Sequence, residues 1–261
     1  MSESPKTGVS VPQQVPSYLA EIKAQSFEQD LKRYARPPRL KIIQGTTGDK
    51  FKPQFKDGDI VIVPDMRLIA DSEQPASFIV TNFFRFYACM NPADKPDLRF
   101  IRDMSYDPKS EIAQKAMKYV DEPCPEEPKL DIKYREFLNF LFVFCDIPEL
   151  AMRPVATVFR GGTFRDGQSL IDLWQARATK SIIPCRWRTT SSPRKGKGTR
   201  RWIGMDFFND PIPYLEETQY KLYAEMSRGL QEIIDSKQME LDLDENDLDD
   251  GAAPASQETK F

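Results

Sequence analysis

Histidine is absent from all 261 residues. That removes the commonest general base, imidazole ligation of zinc and every Ser–His or Cys–His nucleophile pair. Cysteine is sparse: Cys89, Cys124, Cys145 and Cys185 are scattered, with no C-x-x-C among them. Three lie in apolar or aromatic stretches, where a free thiol packs as a small hydrophobe; a zinc site built from all four is the competing reading. No apolar run is long enough to span a bilayer as a helix. The opening "MSESPKTGVSVPQQVPS" lacks the basic start and apolar stretch of a secretory signal, so a cytoplasmic, reducing compartment is expected. No phosphate loop of the form G-x-x-x-x-G-K-[ST] occurs, and "FRGGTFRDG" does not have the spacing of a dinucleotide loop. The carboxylates show no recognisable ligand spacing, so neither a metal nor a cofactor is expected, although carboxylate-based metal chemistry stays open.

What the chain does have is charge, unevenly placed. The net of −3 conceals three regimes. Residues 1–152 hold 21 Lys and Arg against 23 Asp and Glu; residues 153–202 hold 12 against 2; residues 203–261 hold 4 against 15. A basic segment is thus followed by an acidic end. The acid concentrates in "MELDLDENDLDD", from Glu240 through Asp242, Asp244, Glu245, Asp247 and Asp249 to Asp250. Such a stretch repels itself and buries little apolar area, so residues 237–261 are expected to be a disordered tail. It could serve solubility alone, or carry partners on its carboxylates and apolar anchors such as Phe261.

Hydrophobic patterning between those ends predicts one domain over 18–236, after a disordered stretch at 1–17. A short helix is expected at 18–34, and strands at 40–44, 60–63, 77–90, 136–147 and 154–160. Helices are expected at 107–120 and 166–179, and the clearest at 213–236, where Leu215, Leu222, Tyr223, Met226, Leu230, Ile233 and Ile234 follow the 3.6-residue period. Six or seven strands separated by turns, with three or four helices, argue for an α+β fold, mainly antiparallel β, with a barrel core and added helices.

"IIPCRWRTT" and "RRWIGMDFF" read as the two arms of a β-hairpin whose tip is "SSPRKGKGT". Alternation places Cys185, Trp187 and Thr189 on a buried face, and Arg186 and Arg188 on the other. Arg194, Lys195, Lys197, Arg200 and Arg201 extend the positive field with no intervening anion. Dense like charge is relieved by a bound anion, whereas a merely solvated tip more often mixes signs. Extended rather than focused charge suits a nucleic-acid backbone. Single strands are held by cations together with aromatic faces. Trp202 beside Arg200 and Arg201 is the candidate stacker, with Arg85 and Tyr87 on the long strand and Arg160 and Arg165 around the glycine pair as further contacts. Trp174 and the Phe140, Phe142, Phe144 series are assigned to the core. No helix is basic enough to read a major groove.

Three stretches carry a resemblance. "PPRLKIIQG", the strand–loop–strand "IIPCRWRTTSSPRKGKGTRRWIGMDFF" with the following helix "EETQYKLYAEMSRGLQEI", and the acidic tail ending in Phe261 together resemble phage-encoded single-stranded DNA-binding proteins. The resemblance implies an OB-fold-like core, sequence-tolerant binding of single-stranded DNA in replication or recombination, no catalysis, and recruitment of replication proteins by the tail. It leaves room for a homo-oligomer and places a viral member in the host cytoplasm. A carboxylate-based, metal-dependent nuclease, or a virion or scaffold protein touching the genome, are the alternative readings.

Overall fold

Two long neighbouring strands form the spine of the molecule. The computed structural model describes residues 37–44, 54–92, 100–177, 180–195, 201–236 and 239. Among them are ten strands: β1 (Arg39–Ile42), β2 (Ile60–Val63), β3 (Arg67–Ala70), β4 (Ala76–Met90), β5 (Ile101–Ser105), β6 (Asp121–Cys124), β7 (Glu127–Phe144), β8 (Val155–Phe159), β9 (Cys185–Lys195) and β10 (Arg201–Tyr214). The helices are α1 (Glu111–Met117), α2 (Phe164–Gln175) and α3 (Glu217–Asp235). β4 and β7 pair antiparallel from Phe78↔Phe144 to Met90↔Lys133. Both are rich in β-branched and aromatic residues, which fit a pleated surface packed on both sides.

The sheet order is β10-β9-β4-β7-β8-β1-β2-β3, with β5 added to β4 and β6 to β7. Every neighbour is antiparallel except β8 and β1, which meet in parallel at Arg39↔Ala156. The predicted mixed α+β, mainly antiparallel architecture is therefore present, as a sheet curled into a half-barrel. Its concave side holds the main core, in which Phe78, Phe140, Phe142, Phe144, Phe159 and Phe207 cluster around the fully buried Trp187. Ring centroids there lie 4.4 Å apart for Phe78–Phe142 and 5.9 Å for Phe159–Phe207. The aromatic series of β7 is core, as expected.

The convex side is covered by α3. Its Tyr223, Met226, Leu230, Ile233 and Ile234 pack on Ile79, Phe84, Leu141, Val143 and Ala156. Burying each such side chain contributes about 1.5–3 kcal/mol. A bulge in β4 between Val80 and Asn82 fixes where the helix docks. The Asn82 Nδ2 donates to the Ser227 carbonyl at 3.0 Å and to Gln231 Oε1 at 3.2 Å, while Ser227 Oγ donates to the Thr81 carbonyl at 2.8 Å. α3 starts at Glu217 rather than 213, because Ile212, Pro213 and Tyr214 still belong to β10.

Beyond the barrel the β4–β7 pair projects as an arm flanked by β5 and β6. α1 packs on it through Ala113 and Ala116, against Tyr87, Cys89, Cys124, Ile132 and Tyr134. α1 is shorter than the predicted 107–120: the Ser110 Oγ accepts the Ala113 N–H and starts the helix, and Tyr119, at φ +54°, lies beyond its end. The four cysteines are free, three of them buried and Cys145 half-buried.

The two flanks of the half-barrel approach each other without a ladder. The Gln44 Nε2 donates to the Ile203 carbonyl at 2.7 Å, and its Oε1 accepts the Ile203 N–H at 2.8 Å. One side-chain amide thereby stands in for a strand neighbour on β10. Beside it the β1–β2 turn, at Gly58 (φ +96°), rests on β9: a Cβ there would come within 3.1 Å of Ser191 Oγ. The Thr190 hydroxyl donates to the Asp71 carbonyl below. Gln44→Ala is expected to cost about 1–3 kcal/mol, since the Ile203 amide and carbonyl lose their protein partner. A urea midpoint unchanged from wild type would remove Gln44 from the account of closure.

The predicted segments 1–17 and 18–34 and the acidic tail from 240 lie outside the described residues. Among the described residues no helix is long and apolar enough to cross a membrane.

Candidate nucleic-acid interface

The β9–β10 hairpin forms as predicted, and its register decides which cations are free. Arg201 pairs with Lys195, Trp202 with Arg194, Gly204 with Ser192, Asp206 with Thr190 and Phe208 with Arg188. Directly paired residues share a face. Arg194 and Trp202 therefore point to the side of Gly204 and Asp206, and Lys195 and Arg201 to the side of Ser191 and Met205.

Arg194 is fully engaged. Its Nη2 donates to Asp206 Oδ1 at 2.7 Å and to the Met205 carbonyl at 2.9 Å, and its Nε reaches Asp166 Oδ1 at 3.3 Å. Asp166, in the first turn of α2, is only 5% exposed, and its Oδ2 accepts the Met205 N–H at 3.0 Å. Burial pushes this carboxyl above its ordinary range, opposed by the Arg194 charge beside it. Residue 204 is glycine because a Cβ there would collide with Asp166 Oδ2 and sit 2.8 Å from Arg194 Nε. The cluster ties α2 to the hairpin stem. Arg194 is thus held in ion pairs with Asp166 and Asp206, with which a phosphate would have to compete.

Arg186 is held in the same way. Its side chain is 14% exposed, with Nη2 at 3.0 Å from Asp146 Oδ1 and Nε at 3.8 Å from Asp210 Oδ1. Asp210 is itself buried and accepts from the Ser77 hydroxyl and the Ile212 N–H. Arg85 lies exposed on β4 but bonds Glu136 Oε1 at 3.0 Å, with its guanidinium 5.6 Å from the Phe83 ring. Tyr87 is 5% exposed, in the cluster under α1, so it is not a stacking platform; burial raises its phenol pKa above the ordinary value. Arg160 is half-buried over the rings of Phe100 and Phe137, at 5.6 and 5.7 Å.

The remaining candidates differ. Lys195 and Arg201 are exposed, face each other across the last described pair of the stem, and have no ion-pair partner among the described residues. Arg165 is exposed on the same turn of α2 that carries Asp166. Arg188 is half-buried between Ser77 and Phe208, with its Nε unpartnered among the described residues. Trp202 is half-buried and its indole N–H likewise has no acceptor there. Lys197, Arg200, Asp242, Asp244, Glu245, Asp247, Asp249, Asp250 and Phe261 lie outside the described residues.

Sequence reasoning missed the counter-ions Asp146, Asp166, Asp206 and Asp210. Two of them sit just past residue 202, in the stretch scored as acidic, and cross-strand pairing folds them back onto the cations. Among the described residues no group of three or more Cys, Asp or Glu side chains is placed to hold a metal ion. In comparisons with known proteins, no family model, no curated protein and no solved structure matches this chain.

Proposed function

We propose that the chain is a non-catalytic single-stranded DNA-binding protein of the phage type. It holds the strand over the rim of the β9–β10 hairpin and acts in replication or recombination. The observation that carries this reading is the pair Lys195 and Arg201, exposed and without an ion-pair partner among the described residues, on either side of the sequence Gly-Lys-Gly-Thr-Arg. Arg186 and Arg194 are neutralised by nearby aspartates; Lys195 and Arg201, without a carboxylate partner among the described residues, are left to an external anion.

Topology supports the same reading. The path β10-β9-β4-β7-β8, with α2 between β8 and β9, has the order of a five-stranded OB barrel in which β4 is the first strand and β10 the fifth. In that reading β1–β3 are an added flank, and β5-α1-β6 is an insertion between the first and second strands. The Lys195–Arg201 connection becomes the loop between strands four and five, one of the loops with which OB-folds grip oligonucleotides. Phosphates are gripped by Lys195, Arg201 and Arg165, joined by Lys197 and Arg200, and Trp202 offers a stacking face. The acidic tail, with Phe261 at its end, recruits replication or recombination proteins.

Polarisation titrations of labelled single-stranded and duplex DNA at two salt concentrations test this. The expected result is tighter binding of the single strand, with log affinity falling about 0.7 per contacted phosphate per decade of salt. Equal affinity for both forms, or no binding at low salt, overturns the proposal.

A further inference from the structure

The convex side of the sheet is only partly covered. The cluster that α3 builds there draws on β4, β7 and β8, and among the described residues it includes none from β9 or β10. Ile79, a member of that cluster, pairs with Arg186, so the Arg186 face of the hairpin lies on the same convex side. Beyond Arg186 this face is carried by four cross-strand pairs: Arg188 with Phe208, Thr190 with Asp206, Ser192 with Gly204, and Arg194 with Trp202.

Most charge on this face is already spent. Arg194 is paired with Asp206 and Asp166, and Arg186 with Asp146 and Asp210. Arg188 is the exception, with no carboxylate partner among the described residues. Its Nε is covered, but its two Nη nitrogens are neither covered nor bonded, so the outer edge of the guanidinium meets solvent. Phe208, directly across from it, is 36% exposed, and its ring joins none of the core clusters. No cation lies over that ring among the described residues, so its face is open.

We propose that Phe208 is a second stacking platform for a base of single-stranded DNA, with Arg188 on the adjoining phosphate. The strand crosses the rim at Lys195 and Arg201 and runs down the outer face of the hairpin, past Trp202, to Phe208. Trp202 and Phe208 are six residues apart on one face of β10, a separation of about 20 Å. Between them Gly204 presents no side chain, and the Asp206 carboxylate is held by Arg194 at 2.7 Å, so no unpaired anion stands in the way. An open aromatic face beside an unpaired cation is the combination that holds single strands, and it tolerates any sequence because every base has a π-face. A duplex, whose bases are stacked on each other, has no free face to offer here. The inference rests on the reading of the hairpin rim as a single-stranded DNA interface and extends it about 23 Å along the hairpin.

Polarisation titrations of the full chain with labelled oligothymidylate, over a series of salt concentrations, test the subsite. Phe208→Leu keeps apolar bulk and removes the ring; it is expected to weaken binding about fivefold or more and to leave the salt slope unchanged. Phe208→Trp is expected to keep wild-type affinity, and its added tryptophan to be quenched by the strand. Arg188→Gln is expected to lower the logarithmic salt slope by about 0.7. Leu222→Ala, at an exposed apolar residue of α3, is the control and should bind as wild type. Wild-type affinity in Phe208→Leu, or a loss that Phe208→Trp does not restore, overturns the stacking platform; an unchanged slope in Arg188→Gln overturns the phosphate contact. Charge reversal at Lys195 and Arg201 separates the two readings. Weaker binding in that variant beside wild-type binding in Phe208→Leu leaves the rim standing and removes the subsite, whereas a wild-type chain that does not bind the oligonucleotide removes both.

Discussion

Replacing Lys195 and Arg201 together by glutamate is expected to weaken binding of single-stranded DNA by about a hundredfold. A cation against a phosphate is worth about 1 kcal/mol in water, and reversing its sign turns that attraction into repulsion. Over two residues, reduced by salt screening, the change amounts to about two orders of magnitude. The salt dependence should flatten as well, by about 1.4 in the logarithmic slope for two lost contacts on a single strand. Both side chains are exposed and unpaired among the described residues, so the thermal midpoint should not move. Arg85→Ala is the matched control: this arginine is equally exposed but spent on Glu136, and its loss should change affinity less than about twofold. A double variant with wild-type affinity would show that the hairpin rim is not where the strand sits.

The largest effect on stability is expected at Asp166. Asp166→Ala removes the acceptor of the Met205 N–H and one of the two carboxylates on Arg194. Breaking a buried pair on one side leaves a charge short of its partner, at a cost of about 3–5 kcal/mol. Denaturant unfolding followed by tryptophan fluorescence measures it; a loss below about 1 kcal/mol would place the cluster outside the fold's main supports. The titration has a defined sign. Burial raises the folded carboxyl above its ordinary value of 3.8, so the folded chain holds that proton more tightly than the unfolded chain. Between 3.8 and the raised value, Asp166 therefore contributes less stability as pH rises. Asp166→Asn should abolish that component while keeping an acceptor for Met205.

The elements that were legible in sequence are those with a strong period or a strong composition. β4, β7, β8 and α3 announce themselves by aromatic and β-branched density or by the 3.6-residue stripe. β3, β5 and β6 do not: Arg67–Ala70, Ile101–Ser105 and Asp121–Cys124 are short and half-exposed, and β6 carries Pro123. They are strands because long neighbours offer them an edge, which is tertiary information. The interface was legible in kind rather than in detail. Alternation correctly separated Trp187 from Arg186 and Arg188, but it cannot say which arginine meets an aspartate from another segment. Arg186 meets Asp146 and Asp210, and Arg194 meets Asp166 and Asp206, pairings that alternation does not carry. Tyr87 was lost because α1, from an insertion, folds over the far half of β4. Trp174 packs against the main core as read, half-buried rather than buried.

Closure by Gln44 gives the barrel an unequal wall. Along β4–β7 and β9–β10, parting two strands means breaking a run of backbone bonds in concert. Between β1 and β10 it means releasing one glutamine, whose two bonds to Ile203 break together. This seam lies two residues from Arg201, on the strand that carries the proposed DNA contacts. The wall there is a single-residue seam, so local opening at this edge is expected to cost less than parting β4 from β7, which hydrogen exchange at the Ile203 amide measures.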